Sequence, residues 1–189
     1  MLRLSGFILL LCSGVLFAKQ DMAVFAGGNF WYLEADFHRL PGVISTLSGY
    51  DGGTYKNPSY EVVRSGTTKH VESVKLIFDD ETISYTQLLA YFLRHIDPTS
   101  KDGQFCDRGK PYRAVVFYLN DEQKQLATQA IASIEGRFPN TYIDILPSLH
   151  FYPAEEKLQN YYKNNPLRYA FYRHQCKRDA RLKGIWETT

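Results

Sequence analysis

One carboxylate of the sequence lies in a pattern that could give it catalytic chemistry. Residues 71–78 alternate as a strand does, and Glu72 shares its face with three apolar side chains. A carboxylate that points toward a core needs a partner or a raised pKa, because burying it unpaired costs free energy. The residues leave two interpretations open: Glu72 is a general acid that holds its proton near neutral pH, or it forms a buried ion pair with a base such as Arg113.

Two cysteines downstream of the N-terminal segment could supply thiol chemistry. Cys106 directly precedes Asp107, and Cys176 lies in the basic C-terminal region. The thiolate is the nucleophilic form of cysteine, whereas in an oxidising compartment the two residues could instead form a disulfide. The spacing along the chain does not decide between these states, because a disulfide depends on proximity in space.

The first 18 residues are typical of a signal peptide. Arg3 supplies the positive start, residues 7–17 are mostly apolar, and Ala18 ends the segment. The apolar run is too short to span a bilayer stably, so we expect removal rather than a membrane anchor. A lipid-modified Cys12 is disfavoured because the residue before it, Leu11, is large. We therefore expect an exported protein, periplasmic or secreted, in which residues 19–189 form a single domain.

Strand-like and helix-like segments alternate along that domain. The pattern predicts strands at residues 22–26, 43–47, 71–78, 112–119 and 142–146. It predicts helices that begin after Asn29, near Asn57, after Ser84 and Asn120, and at Pro153. The remaining C-terminal residues are aromatic and basic with weak periodicity, and we expect an irregular tail. This alternation indicates an α+β or α/β sandwich with one mixed sheet and flanking helices.

The charge pattern excludes an electrostatic nucleic-acid binder. The net charge is +2, and acidic and basic residues are mixed along the chain. One basic cluster occurs near the C-terminus, and we interpret it as a solvated face. Its members are Arg173, Lys177, Arg178, Arg181 and Lys183.

Several short segments occur together, in order, between about residue 23 and residue 166. They include Gly27-Gly28-Asn29-Phe30-Trp31, Ser48-Gly49-Tyr50-Asp51-Gly52-Gly53, Asn57-Pro58-Ser59-Tyr60, His70-Val71-Glu72-Ser73-Val74, Gln104-Phe105-Cys106-Asp107-Arg108-Gly109 and Phe151-Tyr152-Pro153-Ala154-Glu155. Together they resemble the A-type peptide methionine sulfoxide reductases. The resemblance implies an α+β two-layer sandwich with a ferredoxin-like core.

That family reduces methionine-S-sulfoxide, free or in peptides, and so repairs oxidised proteins. The resemblance implies that a cysteine thiolate at the first turn of the helix after the Gly-Gly turn attacks the sulfoxide sulfur. An acid protonates the departing oxygen, and a second thiol resolves the resulting sulfenic acid. A thioredoxin-like reductant is the implied protein partner, no metal or organic cofactor is required, and a monomer is expected.

Most of the family's site has a counterpart in this sequence. The resemblance implies that Glu72 is the acid, which agrees with the strand alternation that points Glu72 toward the core. The rings that hold the substrate methyl group match Phe30 and Trp31. The groups that hydrogen-bond the sulfoxide oxygen or orient the acid match Tyr50, Asp107 and Tyr112. Taken without the resemblance, Tyr50 and Asp107 would be interpreted as turn residues.

The nucleophile is the departure from the pattern. Asn29 stands at the position that matches the family's catalytic cysteine, and a carboxamide cannot attack sulfur. Asn29 is well suited to cap a helix and could donate its amide hydrogens to a sulfoxide oxygen. Cys106 is a candidate substitute thiol, and Cys176 a candidate resolving thiol. The alternative is a non-catalytic protein that binds methionine sulfoxide or oxidised proteins.

Overall fold

The computed structural model describes residues 19–187. The predicted signal peptide, with Cys12, lies outside these residues. The strands are β1 Gln20–Ala26, β2 Val43–Asp51, β3 Val71–Asp79, β4 Gly103–Gln104, β5 Asp107–Arg108, β6 Ala114–Tyr118, β7 Ile143–Pro147 and β8 Tyr152–Pro153. The α-helices are α1 Phe30–His38, α2 Tyr60–Arg64, α3 Tyr85–Arg94, α4 Asp121–Glu135, α5 Tyr161–Asn164, α6 Pro166–Gln175 and α7 Arg178–Trp186. Short 3-10 helices occupy Lys110–Tyr112 and Glu156–Leu158.

Six strands form one mixed sheet in the order β7-β6-β1-β3-β2-β8. Neighbouring strands are antiparallel except β6 and β7, which run parallel. The main core lies between this sheet and the helices α1, α3 and α4, where apolar residues of all four elements are buried together. The predicted α+β class with a mixed sheet and flanking helices is confirmed. Within residues 19–187, no helix combines the length and apolar character needed to cross a membrane.

Helix caps fix where the main helices begin, as the sequence predicts. The Asn29 side chain accepts a hydrogen bond from the Trp31 amide at the start of α1. Ser84 and Gln87 form a reciprocal capping box at α3, and Asn120 accepts from the Gln123 amide at α4. Each cap satisfies an amide that the helix leaves without an internal partner.

The region after β7 differs from the prediction in two ways. Pro153 does not start a helix, because Tyr152–Pro153 adds a short edge strand to β2, with Gly49 opposite Pro153. Proline tolerates an edge strand, where no neighbour needs its missing N–H. The C-terminal region is also not irregular: α6 and α7 are helical, and Tyr169 and Leu182 pack inward from them.

The interpretation of the C-terminal basic cluster as a solvated face is wrong for two of its members. Arg178 is fully buried, and its guanidinium lies over the rings of Phe105 and Tyr32, at 4.3 and 5.2 Å from their centroids. Arg173 bonds the carboxylates of Asp36 and Asp179. Helical periodicity in α6 and α7 was too weak to separate these inward arginines from the exposed ones.

Candidate active site

The amino end of α1 brings two carboxyl groups together. The Asn29 amide donates to Oδ2 of Asp107 at 3.3 Å, and the next amide, that of Phe30, donates to Oε2 of Glu72 at 3.2 Å. The sheet places Glu72 here, because β3 runs antiparallel to β1 with Val74 opposite Phe25, just before the Gly-Gly turn. The end of a helix favours negative charge and offers free amides, which suits both carboxyl groups.

Glu72 is the most deeply buried acid of this group. It is 0% exposed, and its second oxygen, Oε1, has no hydrogen-bond partner. Burial raises the pKa of Glu72 well above the ordinary carboxyl value of 4.5, and nearby Asp107 raises it further, while the Phe30 amide offsets part of the shift. The alternative of an ion pair with Arg113 is wrong, since Arg113 bonds Asp144 at 3.1 Å. The carboxyl therefore holds its proton over a range in which an exposed glutamate is ionised.

Asp107 is placed by a small hairpin formed by β4 and β5. Gln104 pairs with Asp107 across it, and the Gln104 side chain bonds the backbone N–H and C=O of Asp97 at 2.7 and 2.9 Å. Burial raises the pKa of Asp107, although the Asn29 amide and the Arg178 cation partly counter the effect. The hairpin thus fixes a second acid that resists ionisation beside the first turn of α1.

A cavity of about 620 Å³ opens in front of this helix end. Six aromatic side chains line it: Trp31, Tyr32, Tyr60, Tyr112, Tyr161 and Tyr172. The Trp31 ring stacks on Tyr161 with centroids 3.9 Å apart and planes inclined by 11°. The polar groups at the helix end, Asn29 and Asp107, also line the cavity. An apolar cradle with a few polar groups at one end suits a small polar head on an apolar chain.

The two cysteines complete the wall of this cavity. Cys106 and Cys176 both line it and are joined by a disulfide, with their Cα atoms 5.3 Å apart. Cys106 is exposed and Cys176 is half-buried. The Tyr32 hydroxyl lies 3.9 Å from Sγ of Cys176. Among the described residues, no group of three His, Cys, Asp or Glu side chains is arranged to hold a metal ion.

Comparison with known proteins places these features in a family. The sequence model of the family described as "Peptide methionine sulfoxide reductase" matches residues 21–189. The chain belongs to the peptide methionine sulfoxide reductase family. It is 43% identical over 171 residues to peptide methionine sulfoxide reductase MsrA of Halalkalibacterium halodurans, covering 89% of this chain and 97% of that protein. It is 42% identical over 172 residues to MsrA/MsrB of Vibrio cholerae, of which it spans 46%.

Solved structures of methionine sulfoxide reductases have the same fold. Methionine sulfoxide reductase A of Corynebacterium diphtheriae matches with a TM-score of 0.76 and 27% identity, over 78% of this chain and 76% of that one. Reduced Mxr1 of Saccharomyces cerevisiae matches with a TM-score of 0.74 and 27% identity, over 79% and 87% of the two chains. The mixed sheet and its flanking helices are therefore those of the methionine sulfoxide reductases.

The structure brings most of the predicted site residues of this family member to one place. The lining residues that the sequence singled out are Asn29, Trp31, Cys106, Asp107, Tyr112 and Cys176. Phe30 and Glu72 are 0% exposed and lie behind the cavity wall. The Phe30 ring packs against Tyr50 and Tyr60, with centroids 5.9 and 6.3 Å away. The site is therefore layered, with a surface row of aromatic and sulfur groups over a buried acid.

The structure places Tyr50 behind the cavity, opposite Glu72 in the sheet. It is fully buried, its hydroxyl donates to Glu155 at 2.9 Å, and it is not among the residues that line the cavity. Tyr60 lines the cavity instead, and sequence reasoning did not select it. Tyr60 is the first residue of α2, and its ring reaches Phe30 of α1 through the way α2 docks, which the local sequence does not indicate. The sequence analysis did not identify Tyr161, because no recognisable motif surrounds it.

Proposed function

We propose that this protein reduces methionine-S-sulfoxide in peptides and proteins, with Cys106 and Cys176 as its thiol pair. The observation that carries the proposal is that both sulfurs line the cavity that holds Trp31 and Asp107, and that they lie close enough to be joined. A disulfide between them is the state that one turnover of such a pair leaves behind.

The proposed reaction balances with two thiols. The Cys106 thiolate attacks the sulfoxide sulfur, the oxygen accepts a proton, and methionine leaves while Cys106 becomes a sulfenic acid. The Cys176 thiol then attacks the sulfenic sulfur, which closes the disulfide and releases water. The sulfoxide is reduced to a sulfide, the two thiols are oxidised, and an external thiol reductant must restore them.

The groups around the cavity suit that reaction. We assign the proton to Glu72, whose raised pKa keeps it protonated, and the Tyr112 hydroxyl lies beside Glu72 and also lines the cavity. The stacked pair Trp31 and Tyr161 offers an apolar surface for the substrate methyl group. Asp107 is adjacent in sequence to the attacking sulfur and holds the helix end in place.

Asn29 is assigned the position at which the family keeps its catalytic cysteine. Its Oδ1 accepts from the Trp31 amide, so the carboxamide nitrogen is the group that remains for a ligand. It can donate to a sulfoxide oxygen but cannot form a sulfenic acid. This observation favours a second candidate function, a non-catalytic protein that binds methionine sulfoxide or oxidised proteins in the same cavity.

Turnover of methionine-S-sulfoxide with dithiothreitol separates the two functions. Wild type, Cys106→Ser, Cys176→Ser and Asn29→Cys would be compared, together with sulfoxide binding by calorimetry. The thiol-pair reaction predicts that wild type is active and that Cys106→Ser removes the activity. In a separate reaction of the pre-reduced protein without dithiothreitol, Cys176→Ser should permit a single turnover and leave a sulfenic acid that dimedone labels. An inert wild type that still binds the sulfoxide, beside an active Asn29→Cys, would establish the binding function instead.

The N-terminal segment supports a proposal about where the protein acts. We propose that residues 1–18 direct export to the periplasm or the exterior, where the mature domain acts as a monomer on oxidised proteins. A thioredoxin-like protein is the reductant that the resemblance implies. Cell fractionation with an antibody against the domain tests the export, and a cytosolic pool of uncleaved chain would contradict it.

A further inference from the structure

A second and larger groove borders the same disulfide. Its volume is about 800 Å³, and Cys106 and Cys176 line it as they line the substrate cavity. We call it the distal groove; it is formed by the segment from Asp97 to Arg108 and by the stretch from Gln175 to Arg181. Within residues 19–187, Cys106 and Cys176 are the two residues that line both openings, so the disulfide can be approached from either one.

The distal groove carries an excess of positive charge. Four basic side chains line it, Lys101, Arg108, Lys177 and Arg181, against two carboxylates, Asp97 and Asp102. Asp97 is buried and bonds Arg181 at 2.8 Å, so these two charges neutralise each other. The remaining three cations face one exposed carboxylate. An anionic molecule is therefore attracted to the groove, and to the disulfide at its edge.

The two sulfurs of the disulfide are not equivalent. Cys106 is exposed, whereas Cys176 is half-buried with the Tyr32 hydroxyl 3.9 Å from its Sγ. Burial raises the pKa of Tyr32, so its hydroxyl keeps its proton and can donate to sulfur. In thiol–disulfide exchange the sulfur that leaves as a thiolate benefits from such a donor. Accessibility and this hydrogen bond both favour attack at Cys106 and departure of Cys176.

We propose that the distal groove binds an anionic low-molecular-weight thiol, of the chemical class of glutathione, which reduces the disulfide by attack on Cys106. The incoming thiolate forms a bond to Sγ of Cys106 while the bond between Cys106 and Cys176 breaks, and Cys176 leaves as a thiolate that takes up a proton. A second thiol attacks the mixed disulfide, which releases Cys106 as a thiol and the two reductant molecules as their disulfide. The inference concerns the disulfide alone and does not require sulfoxide turnover.

Charge dependence of the reduction rate tests the groove. The oxidised protein is reduced in separate reactions with 3-mercaptopropionate, 2-mercaptoethanol and cysteamine, and each rate constant is calculated per thiolate. Each value is then divided by the rate constant for the same thiol acting on a small uncharged disulfide. At low salt we expect the anionic thiol to exceed the cationic one by about tenfold, and the ratio to fall as salt is added. Equal normalised rates for the three thiols would overturn the proposal.

Two variants separate the groove from the overall charge of the protein. Lys101→Glu should lower the anionic thiol's advantage several-fold, while Lys124→Glu, an equal change of charge on α4, should leave it unchanged. If both variants lower it equally, the effect is one of net charge and the groove is not a site. Both positions are exposed, so neither variant disturbs the core.

The direction of attack has its own readout. Reaction with one equivalent of thiol, followed by rapid alkylation and peptide mass spectrometry, should show the mixed disulfide on Cys106 and the alkyl group on Cys176. Tyr32→Phe should slow the reduction without moving the mixed disulfide, because it removes only the hydroxyl. A mixed disulfide found mainly on Cys176 would contradict the assignment.

Discussion

Replacing Glu72 by glutamine should change the way the stability of the protein depends on pH. Glutamine has nearly the shape of a protonated glutamate and carries no titrating group. The wild-type carboxyl is fully buried, with one oxygen on the Phe30 amide and the other without a partner. The comparison therefore isolates the cost of keeping this one proton in the folded state.

The sign follows from the direction of the shift. In the unfolded chain Glu72 loses its proton near the ordinary value of 4.5, while in the folded protein burial raises its pKa well above that. Between these two values the unfolded chain binds fewer protons than the native one, so the free energy of unfolding falls as the pH rises. One such group lowers it by about 1.4 kcal/mol per pH unit. Glu72→Gln lacks this loss, and its stability relative to wild type should rise by about that amount between pH 5 and 6.

Urea unfolding of the oxidised protein from pH 4 to 7 measures the difference. Near pH 4 both proteins carry a neutral group at position 72, so the difference there is the baseline. Glu61→Gln is the matched control, because it makes the same chemical change at an exposed residue, which pairs with Arg64. A flat difference for Glu72→Gln would refute the reasoning, since it would mean that the folded protein does not retain this proton.

Other substitutions should reveal how the site is held. Gly28→Ala should destabilise the protein by about 1–2 kcal/mol in urea unfolding, because Gly28 has a φ of 85°, in the left-handed region. Arg173→Met should lower the free energy of unfolding by about 3 kcal/mol, because it removes an ion pair from buried Asp36. Arg178→Met should lower it by less, because two of the Arg178 nitrogens have no hydrogen-bond partner. Urea unfolding curves of the two variants measure the order. Ser84→Ala should cost about 1 kcal/mol through loss of the α3 capping box, measured in the same way.

The elements whose signals are local could be predicted from the sequence. The caps at Asn29, Ser84 and Asn120 and the inward phase of Glu72 depend on neighbours a few residues away, and the structure has all four. The end of the chain could not be predicted in this way. Helix α7 buries Arg178 where the pattern indicates a polar face, and its partners come from elements far along the chain.

The candidate site shows the same division. The positions of Asn29 and Trp31 could be predicted from the turn and helix that carry them. Whether a given aromatic ring lines the cavity or lies buried behind it could not be predicted. Tyr50 pairs with Glu72 across the sheet and still points its hydroxyl to Glu155, while Tyr60 takes the place at the cavity. Which of the two tyrosines lines the cavity depends on where α2 docks, and the sequence around Tyr50 does not indicate that position.

The amides at the start of α1 explain how an asparagine can stand at this helix end. Three successive amides are already bonded to side-chain oxygens: that of residue 29 to Asp107, that of Phe30 to Glu72, and that of Trp31 to the Asn29 carboxamide. The Asn29 carboxamide accepts from the third amide as an N-cap side chain does, beside two carboxyl groups whose pKa values are raised by burial. The helix end therefore has its cap and two acids that resist ionisation, with a neutral side chain at position 29. Cys106 directly precedes Asp107, the carboxyl bonded to the first of these amides, and its side chain lines the same cavity as Asn29.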